Sequence, residues 1–354
     1  MLELKSKLLS FVIRMLALVS WEKSLESGIK KTVWNLTTIL FFLFWQVIGE
    51  PVAISAAKPL SHVRVGYVTP TVDNIPVAIA QKKGFLRAHG IEVEVIALRG
   101  GVQVAQALLS DSLQFGQMAA SVVVRSVLSG SDLVMVAGYV NRINYFLISR
   151  PEINSVKDLL GKKIASASIG GSVDMVLRLG LKGSGVDPQS VIILPAGLPQ
   201  DRLAALASKQ MDATIVQPES LGAVEKLGLK ILKDLSETDV RVQHTGLVVR
   251  RSLLRENRNL VKSFLSAIID SINFYQNHEQ ETIDIMAKFT GVKDVRALKE
   301  SYEFHKKLFP KPPYPSQEGF KTLIAEISDK TVESKKATPD LFFDKTLLDE
   351  LKDK

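Results

Sequence analysis

The stretch VRVGYVTPTVDNIPVAIAQKKGFLRAHGIEVEV, residues 63–95, contains one complete strand–helix–strand unit. At both of its ends branched apolar residues alternate with other residues, which predicts two β-strands. Between the strands lies a loop from Thr69 to Asn74, followed by Pro76, a residue that suits the first turn of a helix. We expect this helix to run to about His89. The unit indicates a parallel pair of strands joined by a crossover helix.

The same alternation continues along the chain. A second block begins after Pro151, with predicted strands at Lys163–Ser168, Val191–Leu194 and Ala213–Val216 separated by helical segments. A last apolar strand is expected at Gly246–Val249. Beyond it, apolar residues at spacings of three and four predict a long amphipathic helix and three further helices. The pattern predicts an α/β protein with mostly parallel sheets and a helical C-terminal part.

Composition excludes several kinds of function. The chain has 354 residues and no cysteine, which excludes disulfides, thiolate catalysis and cysteine-ligated metal centres. Its net charge of +8 is scattered rather than arranged as a basic stripe, so we expect no nucleic-acid partner. The five histidines are dispersed, none at a metal-binding spacing. No catalytic motif is present, and we expect no catalytic residue, no metal and no cofactor.

The first 57 residues are typical of an export signal with an N-terminal extension. Lys30 and Lys31 precede an uncharged run from Thr32 to Gly49, and the small residues Ser55-Ala56-Ala57 follow. The combination of a positively charged region, an apolar region and a small-residue cleavage site predicts a secretory signal peptide, with the mature chain beginning near Lys58. The apolar run approaches the length of a membrane span, so an uncleaved anchor is the alternative.

Several short motifs occur in an order typical of one family. The motifs include Val65-Gly66-Tyr67, Lys83-Gly84-Phe85-Leu86, Gly90-Ile91-Glu92-Val93-Glu94, Ser155-Val156-Lys157-Asp158-Leu159-Leu160-Gly161, Gly170-Gly171-Ser172, Gly185-Val186-Asp187-Pro188 and Met211-Asp212-Ala213. From about Val63 to Leu351 the chain resembles periplasmic substrate-binding proteins of nitrate, sulfonate and taurine ABC transporters. That family includes proteins similar to thiamine-pyrimidine synthesis enzymes.

The resemblance implies a two-lobed type II periplasmic-binding-protein fold that closes on a solute by a hinge motion. Lobe one would hold residues 60–148 and 245–354, and lobe two residues 149–244. The implied function is capture of a small organic solute, anionic or polar-headed, in the periplasm and its delivery to an ABC importer. The implied partners are a transmembrane permease and a cytoplasmic ATPase, and the binding protein is expected to be a monomer.

Ligands of open α/β sheets lie beyond the carboxyl ends of the strands, and this rule selects the candidate site. The candidate ligand-binding residues are Thr69, Thr71, Asp73, Asn74, Gly100, Gly101, Ala120, Ser121, Gly170, Gly171, Ser172, Gln217 and Glu219. The Gly170–Ser172 run would present backbone N–H groups to an anion or polar head at a helix N-terminus. Local roles are the alternative: helix capping for Asn74 and Glu219, and tight strand-to-helix turning for the Gly170–Ser172 run.

Two other functions remain open at this point. A cleft enzyme on the same fold, acting on a pyrimidine precursor or as a dehydratase, would need a perturbed acid or base, and Asp73 and Glu219 are the candidates. A membrane-anchored sensor would keep residues 32–49 as a span. The alanine-rich segment before Ser121 offers few hydrogen-bond donors, which favours a partly apolar organic solute over a small inorganic anion.

Overall fold

The computed structural model describes residues 60–328 and 336–352, so the predicted export signal in residues 1–57 lies outside the described residues. Ten strands form two sheets of five strands each. The strands are β1 Ser61–Tyr67, β2 Ile91–Ala97, β3 Phe115–Ala119, β4 Leu133–Gly138, β5 Phe146–Ser149, β6 Lys163–Ser166, β7 Ile192–Pro195, β8 Ala213–Val216, β9 Lys230–Asp234 and β10 Thr245–Arg250.

Both sheets follow one topology. The first has the order β2-β1-β3-β10-β4 and the second the order β7-β6-β8-β5-β9. In each, the second strand pairs in parallel with both of its neighbours, β1 with β2 and β3, and β6 with β7 and β8. The inserted strand, β10 or β5, is antiparallel to both of its neighbours. The predicted α/β class is confirmed. Each sheet is mixed, with four strands running in one direction and the inserted strand, which enters from the other sheet, running against them.

Two crossing segments connect the sheets, one between β4 and β5 and one between β9 and β10. They meet at an antiparallel bridge between Arg142 and Arg241. Gln243 joins them, because its Nε2 donates to the backbone oxygens of Val140 and Thr245 at 3.2 and 3.1 Å. The predicted lobe ranges stay a prediction; the pairing of β5 places residues 146–149 in the second sheet.

Helices cover both faces of the sheets. They are α1 Ile75–Lys82, α2 Phe85–Ala88, α3 Gly101–Leu109, α4 Ala120–Leu128, α5 Ser172–Gly183, α6 Pro199–Ala207, α7 Leu221–Lys226, α8 Arg251–Glu256, α9 Arg258–Asn277, α10 Glu279–Thr290, α11 Val295–Lys306, α12 Gln317–Ser328 and α13 Thr346–Lys352. The helical C-terminal part and its long helix, α9, are confirmed. No helix within residues 60–328 and 336–352 is both long and apolar enough to cross a bilayer.

The first predicted helix is wrong in its extent. Instead of running from Pro76 to His89, it ends at Lys82, and α2 begins at Phe85. Gly84 between them has a φ of 77°, a left-handed conformation that glycine adopts without steric cost and that ends a helix. Periodicity alone could not detect this break, because the apolar spacing continues through it.

The core of the first sheet is built around β1, β3 and α9. Helix α9 packs against α1 and α2 and buries Phe264, Leu265 and Ile268 completely. The ring of Phe264 stacks on Phe115 of β3 with 3.9 Å between centroids. Burying each such side chain contributes about 1.5–3 kcal/mol to stability. These contacts therefore hold α9 firmly against the face of the sheet that contains β1 and β3.

The second crossing segment also packs against the C-terminal part. The backbone N–H of Ser316 donates to Gln243 Oε1 at 2.7 Å, and Gly319 in the first turn of α12 lies against the backbone of Gln243. A Cβ added to Gly319 would lie 2.1 Å from the Gln243 backbone nitrogen. Only glycine therefore allows α12 to approach the crossing segment this closely.

We predict that Gly319→Ala lowers the free energy of unfolding by about 1–3 kcal/mol, because overpacking forces the helix away from the crossing segment. Chemical denaturation of both proteins measures the difference. Gly100→Ala is the matched control, since a Cβ there meets nothing within 4 Å and its φ of 179° is extended backbone. Equal stability of Gly319→Ala and wild type would contradict the packing argument.

Candidate functional site

Segments that follow β1 and β8 meet between the two sheets. The loop after β1 ends in a turn at Val72–Asn74, and the turn Pro218–Ser220 follows β8. The backbone N–H of Val72 donates to Oε1 of Glu219 at 3.2 Å, joining residues 147 positions apart. Helix α11 packs against both turns. The carboxyl ends of one strand from each sheet are thus held together around Glu219.

Asp73 lies beside this contact and accepts hydrogen bonds on both oxygens. The hydroxyl of Thr71 donates to Oδ1 at 2.5 Å, and that of Thr245 donates to Oδ2 at 2.6 Å. His244 Nδ1 is 3.3 Å from Oδ2. Burial by itself would raise the pKa of Asp73, but the hydrogen bond and charge of His244 and the two hydroxyl donors outweigh it and hold the pKa below its ordinary value. Asp73 is therefore ionised at neutral pH.

Glu219 is in a different environment although it is equally buried. Ser301 of α11 donates to its Oε2 at 3.2 Å, and the Ser301 hydroxyl is 3.3 Å from Nδ1 of His305. Burial raises the pKa of Glu219 to about 7, and the charge of Asp73 acts in the same direction. Hydrogen bonds from backbone N–H groups, including that of Val72, and from Ser301 oppose the rise only in part. Burial also lowers the pKa of His305.

Arg202 is the one Lys or Arg among the described residues that is fully buried. All three of its nitrogens donate to protein oxygens beside the second sheet: Nε to Thr214 Oγ1 at 3.1 Å, and the two terminal nitrogens to the backbone oxygens of Gly197 and Ile215 at 2.8 and 3.0 Å. This guanidinium holds α6 to β8.

Four buried side-chain atoms around the two turns have no hydrogen-bond partner among the residues that the structure describes. They are Asn74 Oδ1, Gln117 Oε1, Gln217 Nε2 and His244 Nε2. Buried polar atoms are normally paired, and leaving one unpaired costs about 1–3 kcal/mol. Such a group of atoms at the carboxyl ends of β3, β8 and the turn after β1 is typical of a site that binds a polar molecule.

The glycine-rich loops are arranged differently from the expectation. Gly170 N–H donates to Oδ2 of Asp174 at 2.9 Å, and Gly171 N–H donates to the backbone oxygen of Ser168 at 3.3 Å. Within the described part of the chain, no hydrogen bond joins residues 170–172 to Asp73 or Glu219. Two of the three N–H groups expected to face an anion are therefore already used inside the loop.

Close packing explains why one residue of the Gly100-Gly101 pair is a glycine. A Cβ added to Gly101 would lie 2.7 Å from Val122 Cγ2, so this glycine lets α3 pack against α4, whereas Gly100 is open. Ala120 and Ser121 at the start of α4 are buried, and the Ala120 N–H donates to the backbone oxygen of His244 at 2.7 Å. This contact connects α4 to the second crossing segment.

Known proteins resemble this chain in sequence and in fold. The family model "NMT1/THI5 like" matches residues 71–282, which include both turns and the two crossing segments. The chain belongs to the NMT1/THI5-like family.

One relative is a protein from Brucella abortus (strain 2308) that is described as a binding protein. It is 28% identical to this chain over 235 residues, and the alignment covers 65% of this chain and 72% of the relative. The alkanesulfonate-binding protein SsuA from Xanthomonas axonopodis bound to MOPS has the same fold, with a TM-score of 0.63, 18% identity and coverage of 80% and 96%. The periplasmic nitrate-binding protein NrtA from Synechocystis superposes with a TM-score of 0.66, 16% identity and coverage of 82% and 88%. The predicted family and fold are confirmed.

Some of the candidate ligand-binding residues lie together in the structure, and others lie apart from them. Thr71, Asp73 and Asn74 form one hydrogen-bonded group, and Asn74 Nδ2 also donates to the Thr69 backbone oxygen at 3.2 Å. Glu219 is bonded to the same turn through the backbone N–H of Val72, and Gln217 lies two residues before Glu219. The interpretation of Asn74 as a helix cap is wrong, because its side chain bonds back into the loop rather than to α1.

Residues of the group that were not identified from the sequence are Gln117, His244, Thr245, Ser301 and His305. His244 and Thr245 are a polar pair directly before an apolar strand, and Ser301 and His305 lie one turn apart on α11. Those positions are the available sequence signals.

We predict that Glu219→Gln changes how stability depends on pH. Since burial raises the pKa of Glu219 from 4.5 to about 7, the folded state holds its proton more tightly than the unfolded state between these values. Stability of the wild type is then lost as pH rises from about 4.5 to about 7, by roughly 3 kcal/mol, and Glu219→Gln lacks this loss. At pH 8 the variant should be the more stable protein.

Denaturant unfolding at pH 4.5, 6, 7 and 8 measures this effect. Glu225→Gln is the control, because Glu225 pairs with Arg296 on the surface, where an ion pair contributes about 0–1 kcal/mol. If the free energy of unfolding depended on pH in the same way for wild type and Glu219→Gln, Glu219 would titrate as it does in the unfolded chain, and the prediction would be contradicted.

Proposed function

We propose that this chain is the solute-binding component of an ABC importer. It holds a small organic solute with a polar head between the carboxyl ends of its two sheets and delivers it to a transmembrane permease driven by an ATPase. The observation that carries the proposal is the contact between Val72 and Glu219, surrounded by four unpaired buried polar atoms. The similarity of the chain to proteins described as binding proteins supports it.

The site combines contributions from both sheets, as a closing trap requires. The turn at Val72–Asn74 follows a strand of the first sheet, and Gln217 and Glu219 follow a strand of the second. Within residues 60–328 and 336–352, two crossing segments connect the strands of one sheet to those of the other, and such short connections permit a hinge motion. A solute that contacts both turns stabilises the closed arrangement, because it has fewer contacts in an open one.

The proposed location is the periplasm, reached through the predicted signal in residues 1–57 with the mature chain beginning near Lys58. An uncleaved anchor would hold the same domain at the outer face of the membrane. The protein would act as a monomer, with Gly100, Gly101, Ala120, Ser121 and the Gly170–Ser172 loop at the edges of the site.

The enzyme alternative has less support. Asp73 and Glu219 accept hydrogen bonds from the protein on all four of their carboxyl oxygens, which gives both groups a structural role at the two turns. The relatives named above are described as binding proteins. These carboxyl groups instead organise the turns that form the site.

We predict that one class of solute raises the thermal unfolding temperature. The purified protein would be unfolded in the presence of nitrate, sulfonates, carboxylates, aromatic acids, amides and pyrimidines. A solute at one hundred times its Kd adds about 2.7 kcal/mol of stability, which corresponds to a rise of roughly 5 °C. Small-angle scattering with the same solute should show a smaller radius of gyration, and a flat panel at 10 mM with unchanged scattering would contradict the proposal.

A further inference from the structure

The orientation of the Asn74 amide follows from its neighbours. Its nitrogen lies 3.2 Å from the backbone oxygen of Thr69 and 3.1 Å from the hydroxyl oxygen of Thr71. A backbone carbonyl oxygen only accepts hydrogen bonds, so the atom facing it is the NH2 group. Asn74 is 5% exposed, and its Oδ1 has no partner within the protein. The side chain therefore leaves one buried acceptor unused.

Gln117 of β3 is held in the same way. Its Nε2 donates to the backbone oxygen of Asn74 at 3.0 Å, which again leaves the amide oxygen as the unpaired atom. The residue is 1% exposed and lies between Tyr67 of β1 and Leu247 of β10 in the sheet. Two adjacent side chains thus present two buried amide oxygens that have no hydrogen-bond partner among the described residues.

The charges around these acceptors do not suit an anion. Asp73 is ionised, and a protonated His244 beside it would only bring the pair to zero net charge. Glu219 adds either no charge or a negative one. The nitrogens of Arg202, the fully buried cation of the described residues, are all used by protein oxygens. A sulfonate or nitrate would bring only acceptor oxygens to this environment, where like-charge repulsion opposes binding.

We propose, building on the solute-binding function above, that the solute presents N–H donors to Oδ1 of Asn74 and Oε1 of Gln117. Its polar head is an amide, amine or amidine group rather than a sulfonate or nitrate. Donors at this position would satisfy both buried acceptors, and the nearby carboxylate of Asp73 would favour a head that carries partial or full positive charge. The protein thus differs in specificity from the alkanesulfonate-binding and nitrate-binding proteins whose fold it shares.

Shape-matched pairs of probes test the inference on the wild-type protein. Isothermal titration and thermal unfolding would compare benzamide with benzenesulfonate, propionamide with ethanesulfonate, and benzamidine with benzoate, with nitrate added. In each pair the apolar part is kept and only the donor or acceptor character of the head changes. The donor member should bind at least tenfold more tightly than its partner.

A variant tests the named acceptor. Gln117→Met keeps the length of the side chain and removes the amide oxygen, and it should weaken binding of the preferred donor probe by roughly tenfold. Gln114→Met is the matched control, because Gln114 precedes β3 and bonds to the backbone of Arg64 and Asp111 outside the site. The control should bind the probe like the wild type, and circular dichroism would verify that both variants fold.

The outcomes separate the two proposals. Tighter binding of a sulfonate, benzoate or nitrate than of the matched donor would overturn the inference and leave the solute-binding function intact. Binding of a donor probe with equal affinity in wild type and Gln117→Met would overturn the role of the two amides. No binding of any probe at 10 mM would count against both the inference and the solute-binding function.

Discussion

The fold depends at its centre on one buried carboxyl group. Glu219, 6% exposed, follows the second sheet and receives the backbone N–H of Val72 from the first sheet and the hydroxyl of Ser301 from the C-terminal part. Three regions distant in sequence therefore meet on its two oxygens. Because an isolated buried charge is costly, this arrangement requires that the carboxyl group be neutral or fully hydrogen-bonded, and its raised pKa reflects that requirement.

The neighbouring carboxylate, Asp73, is also buried, but its pKa is lowered rather than raised. Asp73 keeps its charge because His244, Thr245 and Thr71 all stabilise it. Two acidic groups can lie this close together only if their pKa values are separated, one held low by donors and one raised by burial. The consequence for binding is an environment whose unpaired atoms include two acceptors, Asn74 Oδ1 and Gln117 Oε1, and one amide donor, Gln217 Nε2, with Arg202 as the one fully buried Lys or Arg of the described residues. Recognition at such a site depends on hydrogen bonds to a solute more than on net attraction of an anion.

The sequence predicted elements whose signal is local. The alternation of Val63 and Val65 identified β1, and the apolar stripe from Leu260 to Tyr275 identified α9. The rule that ligands lie at the carboxyl ends of strands located Asp73 and Glu219. The rule could not show that Val72 and Glu219 bond to each other across 147 positions, nor that Ser301 completes the group. Those contacts depend on how the inserted strands exchange between sheets, which short-range periodicity does not encode. The role of Gly101 likewise became clear only from the atoms that a Cβ there would meet.

The most direct test of this account is a crystal structure of the protein with the solute that gives the largest thermal stabilisation. The account predicts electron density for the solute in contact with the Val72–Asn74 turn and with the segment from Gln217 to Glu219 at the same time, within hydrogen-bond distance of the amide oxygens of Asn74 and Gln117. Density that contacts only one sheet, or that lies in the surface groove near Arg125 and Asp132, would contradict it.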